Sequence, residues 1–190
     1  MLITTLVLAM MVQSPAATVD RTRAAFTKCL RDDLKRALEA KVEEAEYVMT
    51  LKANCTKERD AFHKAVIALG RAAGRGAVVF GECGGYMVLG DGIVDSEGVR
   101  HEMLGALPLE TSFANPKRHL GYRRLSPTPG FFWNMELSAH EFHYACTVSE
   151  GEADGRLFSV RDALGADLGS SGLRRGNVAG SFMHVIDRID

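Results

Sequence analysis

Cys83 stands between two glycines spaced two residues to either side, in the run Gly81-Glu82-Cys83-Gly84-Gly85. An apolar stretch, Ala77-Val78-Val79-Phe80, leads into it, and Tyr86-Met87-Val88-Leu89-Gly90 follows. A cysteine with small residues at −2 and +2, after a strand and before a helix, fits a nucleophile elbow. Only small neighbours leave room for so sharp a turn, which holds the side chain out toward substrate. The helix that starts at the turn aims its positive end at the sulfur, which favours the reactive thiolate. The alternative reading of the same residues is a buried cysteine in a glycine-rich turn.

A thiol nucleophile needs a group to take its proton, and imidazole is the usual one. His184, in Gly180-Ser181-Phe182-Met183-His184-Val185, falls at the end of a predicted strand, where an α/β sheet keeps its reactive groups. Paired with the elbow it is the best base candidate, ahead of His140, His143, His101 and His119. His140-Glu141-Phe142-His143 resembles a zinc helix only superficially, because the spacing is H-E-x-H rather than H-E-x-x-H. In a strand His140 and Phe142 share one face while Glu141 and His143 share the other, so chelation by this pair of histidines is poor. No metal is expected.

The elements that must position these groups divide into two parts. Residues 77–190 hold sixteen of the nineteen glycines and four of the five prolines, with apolar or β-rich runs at 104–113, 120–125, 131–137, 141–148, 157–160 and 178–186. Asn115-Pro116, Ser126–Gly130, Glu150-Gly151 and Gly172 read as the turns between them. With the strand–elbow–helix unit, this predicts a parallel α/β sheet with an antiparallel extension.

Residues 18–76 are glycine-poor and read as a helical hairpin. Phe26, Leu30, Leu34, Leu38, Val42, Ala45 and Met49 draw one stripe; Phe62, Val66, Leu69 and Ala73 draw a shorter one, with Asn54 between as stop and cap. A first helix running unbroken to about residue 51 would leave Cys29 roughly 33 Å from the turn. A Cys29–Cys55 bridge needs Cα atoms within about 7 Å. Either the helix breaks or the bridge does not exist.

Residues 1–17 form an apolar segment: Leu2–Val12, too short to span a bilayer as a helix, then Ser14-Pro15-Ala16-Ala17. They read either as a signal peptide or as a buried edge strand, and no basic residue precedes the run. The net charge of −1 gives no electrostatic reason to propose nucleic acid, and four scattered cysteines do not make a disulfide scaffold.

Four stretches now stand in order: Glu82–Gly90, Leu120-Gly121-Tyr122-Arg123, His140–Tyr144 and Gly180–His184. Together they resemble the C-terminal glutamine amidotransferase domain of the cobyrinic (hydrogenobyrinic) acid a,c-diamide synthase family, over roughly residues 74–190. The resemblance implies a class I glutamine amidotransferase fold, a mostly parallel sheet flanked by helices, incomplete here on its N-terminal side and preceded by the helical segment. It makes Cys83 the nucleophile, His184 the general base, and the Gly84 N–H an oxyanion donor, with Gly81 and Gly85 shaping the elbow. Glutamine is the implied amide donor and the pathway is cobalamin synthesis, in the cytoplasm, although the signal-like N-terminus leaves export open.

The same resemblance exposes departures. The carboxylate that many such enzymes place two residues after the histidine is Ile186 here, as the cobyrinate branch also lacks it, and Asp187 is not given its role. Nothing before Gly81 matches the upstream Gly-Gly loop that supplies a second oxyanion donor. No G-x-x-x-x-G-K-[ST] phosphate loop is present, so no cofactor is expected on this chain; ATP and Mg belong to the synthetase half, a separate ATP-binding chain that would act on a corrinoid. The alternative reading is a truncated or chimeric, non-catalytic remnant fused to an unrelated, exported helical protein. A thiol hydrolase of related fold would share the elbow alone.

Overall fold

The computed structural model describes residues 14–51 and 53–189. It divides into two compact units, Met1–Ala72 and Ala73–Asp190. The apolar run Leu2–Val12 lies outside the described residues.

The first unit is helical, but not a simple hairpin. Ser14 caps helix α1 (Pro15–Glu39), its side chain accepting from the Ala17 N–H, with Pro15 at the first helical position where a missing N–H costs nothing. Ser14–Ala17 thus begin a helix. α1 stops at Glu39, and α2 (Glu44–Leu51) and α3 (Thr56–Gly74) follow. Lys41 turns the chain in the left-handed region at φ 53°. Neither glycine nor proline marks this break, so the sequence reads as one continuous helix.

The break is what allows a Cys29–Cys55 disulfide, with Cα atoms 5.9 Å apart. From Cys29 the chain rises about 15 Å to Glu39, and the eight residues of α2 return about 12 Å of it. Asn54 does not cap a helix; its amide donates to the Asp33 carboxylate at 2.8 Å. Phe26 and Phe62, each on its apolar stripe, stack with centroids 6.4 Å apart.

The second unit is built on two sheets. Its elements are β1 (Val79–Glu82), α4 (Gly84–Leu89), β2 (Gly92–Val94), β3 (Arg100–Glu102), β4 (Leu109–Ser112), β5 (His119–Pro127), β6 (Leu137–His143), β7 (Cys146–Glu150), β8 (Gly155–Asp162), β9 (Asp167–Arg175), β10 (Val178–Ser181) and β11 (Met183–Arg188). The larger sheet runs β1-β10-β9-β8-β5-β6-β11 and the smaller β3-β2-β4-β7.

The α/β class holds, but the sheets are mixed rather than mostly parallel. Only β1–β10 and β2–β4 pair in parallel. The remaining neighbours are antiparallel, because short turns join β8 to β9 and β9 to β10, whereas a parallel pair needs a crossover of a dozen residues or more.

Two stretches differ from the expected strands. Residues 131–136 are irregular loop rather than strand, with Phe131 and Trp133 packed on the core and Phe132 exposed; Trp133 lies edge-on to Phe80, centroids 4.7 Å apart. Gly172, expected at a turn, lies inside β9 at φ 78°; a Cβ there would come within 2.6 Å of the Gly180 carbonyl oxygen on β10.

The large sheet curls around a core of Leu125, Leu137, Ala139, Leu157, Phe158, Val160, Ala179 and Met183. Phe80 on β1 and Val185 on β11 pack on the same core from the two ends of the strand order. The sheet therefore nearly closes on itself, bringing its first and last strands face to face.

Candidate active site

β1 ends at Glu82, and Cys83 then takes φ 50°, ψ −110°, a backbone state that L residues rarely occupy. Such outliers persist only where surroundings over-determine them. Here the Cys83 N–H donates to the Ser181 carbonyl at 2.9 Å, extending the β1–β10 ladder by one bond, while the Cys83 carbonyl accepts from Met87 and opens α4. One residue therefore ends a strand and caps a helix.

Glycine is required at two points of this turn. A Cβ on Gly81 would lie 2.7 Å from the Gly85 carbonyl carbon and from the Leu89 side chain. Gly180, paired with Gly81 across the strands, would strike the Tyr86 ring at 2.6 Å. The space around Gly84 and Gly85 themselves is open, leaving their surface to a ligand.

The Cys83 thiol donates toward the Phe142 carbonyl at 3.8 Å. Burial pushes this thiol above its ordinary value; the Gly84 N–H works against the rise and the Glu82 carboxylate adds to it. The helix end that was expected to favour thiolate belongs to a helix of six residues, and it does not outweigh burial.

His184 sits near the start of β11, half-buried and directly opposite His140 on β6. Tyr122 on β5 continues the row, its ring centroid 5.5 Å from that of His140. Three connections tie the cysteine segment to the histidine segment: Cys83 N–H to Ser181 O, the thiol to Phe142 O two residues from His140, and the Val185 N–H to Glu82 Oε1 at 3.0 Å. The last was not foreseen; its only signal in the sequence is a charge at the end of an apolar strand, beside the nucleophile.

Ile186 is bypassed by a shift of register between Val185 and Asp187 and lies exposed. The Asp187 carboxylate accepts from the neighbouring Arg188 N–H. Neither residue orients the His184 ring.

The opposite face of β6 carries a second cluster that sequence reading treated only as poor chelation. Glu141 accepts from Arg123 Nε at 2.8 Å and from His143 Nε2 at 3.0 Å, and His143 Nδ1 bonds to the Ala145 carbonyl at 2.9 Å. Burial alone would raise the Glu141 carboxyl, but the bonds from His143 and Arg123 outweigh it and hold it below its usual range. Burial and the adjacent His143 lower His119.

His119, Glu141 and His143 place potential ligand atoms within 4.8 Å of one another. The two imidazoles, however, are stacked 4.5 Å apart with planes 4° from parallel. Ring nitrogens bind in the ring plane, so parallel planes do not converge on one ion, and Arg123 holds the other carboxylate oxygen. The cluster is an ion-pair network that braces β5 against β6.

Among the described residues no helix is long and apolar enough to cross a membrane.

Residues 50–188 match the CobB/CobQ-like glutamine amidotransferase domain family, reaching well upstream of residue 74, where the resemblance was expected to start. The chain is similar to hydrogenobyrinate a,c-diamide synthase of Rhizobium meliloti (strain 1021), 62% identical over 134 residues, which are 70% of this chain and 29% of that protein. Proteins of the same name from a Sinorhizobium species and from Brucella abortus are each 65% identical, over 61% and 63% of this chain and 26% and 27% of theirs. The chain thus spans little more than a quarter of the length of these relatives. With the elbow, the curled sheet and the histidine strand in place, this chain belongs to the CobB/CobQ-like glutamine amidotransferase domain family.

Proposed function

We propose that the chain hydrolyses glutamine and that the ammonia serves amide formation on a corrin carboxylate. Cys83 attacks the side-chain amide carbon of glutamine, and His184 takes the thiol proton and passes it to the departing ammonia. The Gly84 N–H, at the start of α4 and beside the Cys83 sulfur, stabilises the oxyanion of the tetrahedral intermediate. Water then cleaves the thioester to glutamate, with His184 as base.

The observation that carries this reading is the strained Cys83 backbone, stitched by its own N–H to Ser181, three residues before His184. Strain of this kind at a nucleophile is a cost of about 1–3 kcal/mol that packing alone does not require. The raised thiol fits a cysteine that depends on a neighbouring base rather than on a standing negative charge.

ATP-dependent activation of the corrinoid carboxylate would fall to a synthetase portion outside residues 1–190. Residues 1–190 contain no G-x-x-x-x-G-K-[ST] phosphate loop to hold ATP and Mg. The names of the similar proteins support the corrinoid as the acceptor.

The test is glutamine hydrolysis by the purified chain against Cys83→Ala and His184→Ala. Glutamate release lost in both variants is expected; equal rates in wild type and Cys83→Ala would sink the reading.

A further inference from the structure

β11 is an edge strand, paired with β6 alone, and β1 is the edge at the other end of the strand order. His184 pairs with His140, so the neighbouring Val185 turns its N–H away from β6 and toward β1. β1 supplies no backbone partner. The acceptor is the side chain of its last residue, Glu82, at 3.0 Å. Phe80 and Glu82 share one face of β1 by the period of two, and Phe80 packs on the core that Val185 also touches.

Glu82 thus precedes the nucleophile in the chain and bonds to the residue that follows the histidine. This bond ties β1 directly to β11, and among the described residues no carboxylate hydrogen-bonds the His184 imidazole. The position where a carboxylate could have gripped the ring is Ile186, exposed in the register shift.

We propose that Glu82 is the positioning residue of this site: its carboxylate, by accepting the Val185 N–H, sets the distance between Cys83 and His184. It acts on the backbone of β11 and does not touch substrate. The inference rests on the glutaminase reading for its kinetic consequence, but the bond itself is independent of that reading. The carboxylate also lies close enough to oppose thiolate formation at Cys83, so the residue that holds the pair together makes the cysteine dependent on His184.

Three substitutions separate acceptor, charge and reach in the full chain. Glu82→Gln keeps an acceptor oxygen at the same reach and removes the charge. Glu82→Asp keeps the charge and shortens the arm by one methylene. Glu82→Ala removes both. Glutamine hydrolysis is expected to fall by less than about fivefold in E82Q and by about a hundredfold in kcat, with KM little changed, in E82D and E82A, the loss typical of a misplaced catalytic group.

Amide hydrogen exchange at Val185 gives a readout that needs no turnover: protection kept in E82Q and lost in E82D and E82A. Hydrolysis in E82D equal to wild type, or Val185 exchange unchanged in E82D, would overturn the proposal. If the wild-type chain hydrolyses no glutamine, the functional reading fails, and Val185 exchange alone decides whether the tie exists. Should E82A not fold, the contrast between E82Q and E82D still decides.

Discussion

Phe182 lies flat on the imidazole of His143, centroids 3.9 Å apart and planes 14° from parallel. The same ring meets Tyr86 in a T-shaped contact, centroids 5.3 Å apart. His143 stands on β6 and Tyr86 on α4, so this ring, in the one-residue link between β10 and β11, joins the ion-pair network to the helix that follows Cys83. Phe182→Ala is expected to lower the unfolding free energy of the second unit by about 3–4 kcal/mol, the cost of emptying a buried aromatic site. Phe182→Leu should lose less than half of that. Urea denaturation followed by tryptophan fluorescence measures both, and equal stability of the two variants would contradict the stacking.

Gly81→Ala tests the elbow without touching a reactive atom. The added methyl meets the backbone of Gly85 at 2.7 Å, which cannot rotate aside, so strand or helix must move. Glutamine hydrolysis is expected to drop about a hundredfold, with a stability loss of about 1–3 kcal/mol. Wild-type turnover in this variant would mean that the turn is slacker than its geometry states.

The Cys83 thiol has its own pH signature. Because burial raises it, the thiolate is a minority at neutral pH, and alkylation by a small neutral reagent should quicken steadily as pH climbs past the ordinary thiol range of about 8.5. In Glu82→Gln the curve should move to lower pH, since one of the groups that raise the thiol is gone. A rate already flat by pH 8 in wild type would contradict the raised thiol.

For Glu141 the sign runs the other way. Its carboxyl is lower in the folded chain than in the unfolded one, so its stabilisation is present above the unfolded value of about 4.3 and is lost as pH falls through the folded value. Glu141→Gln should therefore be less stable at pH 7 by about 3 kcal/mol, having left Arg123 and His143 without their anion. It should also show a flatter stability curve between about pH 5 and 3. Parallel acid denaturation of variant and wild type would remove the network as a source of stability.

The disulfide closes a loop of 26 residues, for which the entropy of the unfolded chain predicts roughly 3–4 kcal/mol. Cys29→Ser with Cys55→Ser should lower the melting temperature of the helical signal, and unchanged melting would show that the helices hold without it.

What was legible in the sequence follows physical range. The elbow was readable because its demands are local: a strand, two glycines and a helix within a dozen residues. The burial alternation around His140–His143 was readable because period two is local as well, and the structure buries Glu141 and His143 while exposing Phe142. The mixed character of the sheets was not, since pairing direction depends on which distant strands meet. β9 escaped because Gly169, Gly172 and its serines carry no strand preference, and closeness to β10 selects them instead. The end of α1 at Glu39 has no local breaker, and the pairing of Cys29 with Cys55 that it permits shows only in the folded chain. Cys83 and His184 were named from the sequence, but Glu82 was not, because a side chain replacing a missing strand neighbour is visible only once the sheet has curled.

That replacement has a mechanical meaning. Elsewhere the large sheet is sewn by repeated backbone bonds that must break together, whereas β1 and β11 are fastened at one stitch. Cys83 and His184 therefore stand on either side of a seam whose hydrogen bonding, among the described residues, rests on a side chain rather than on a ladder.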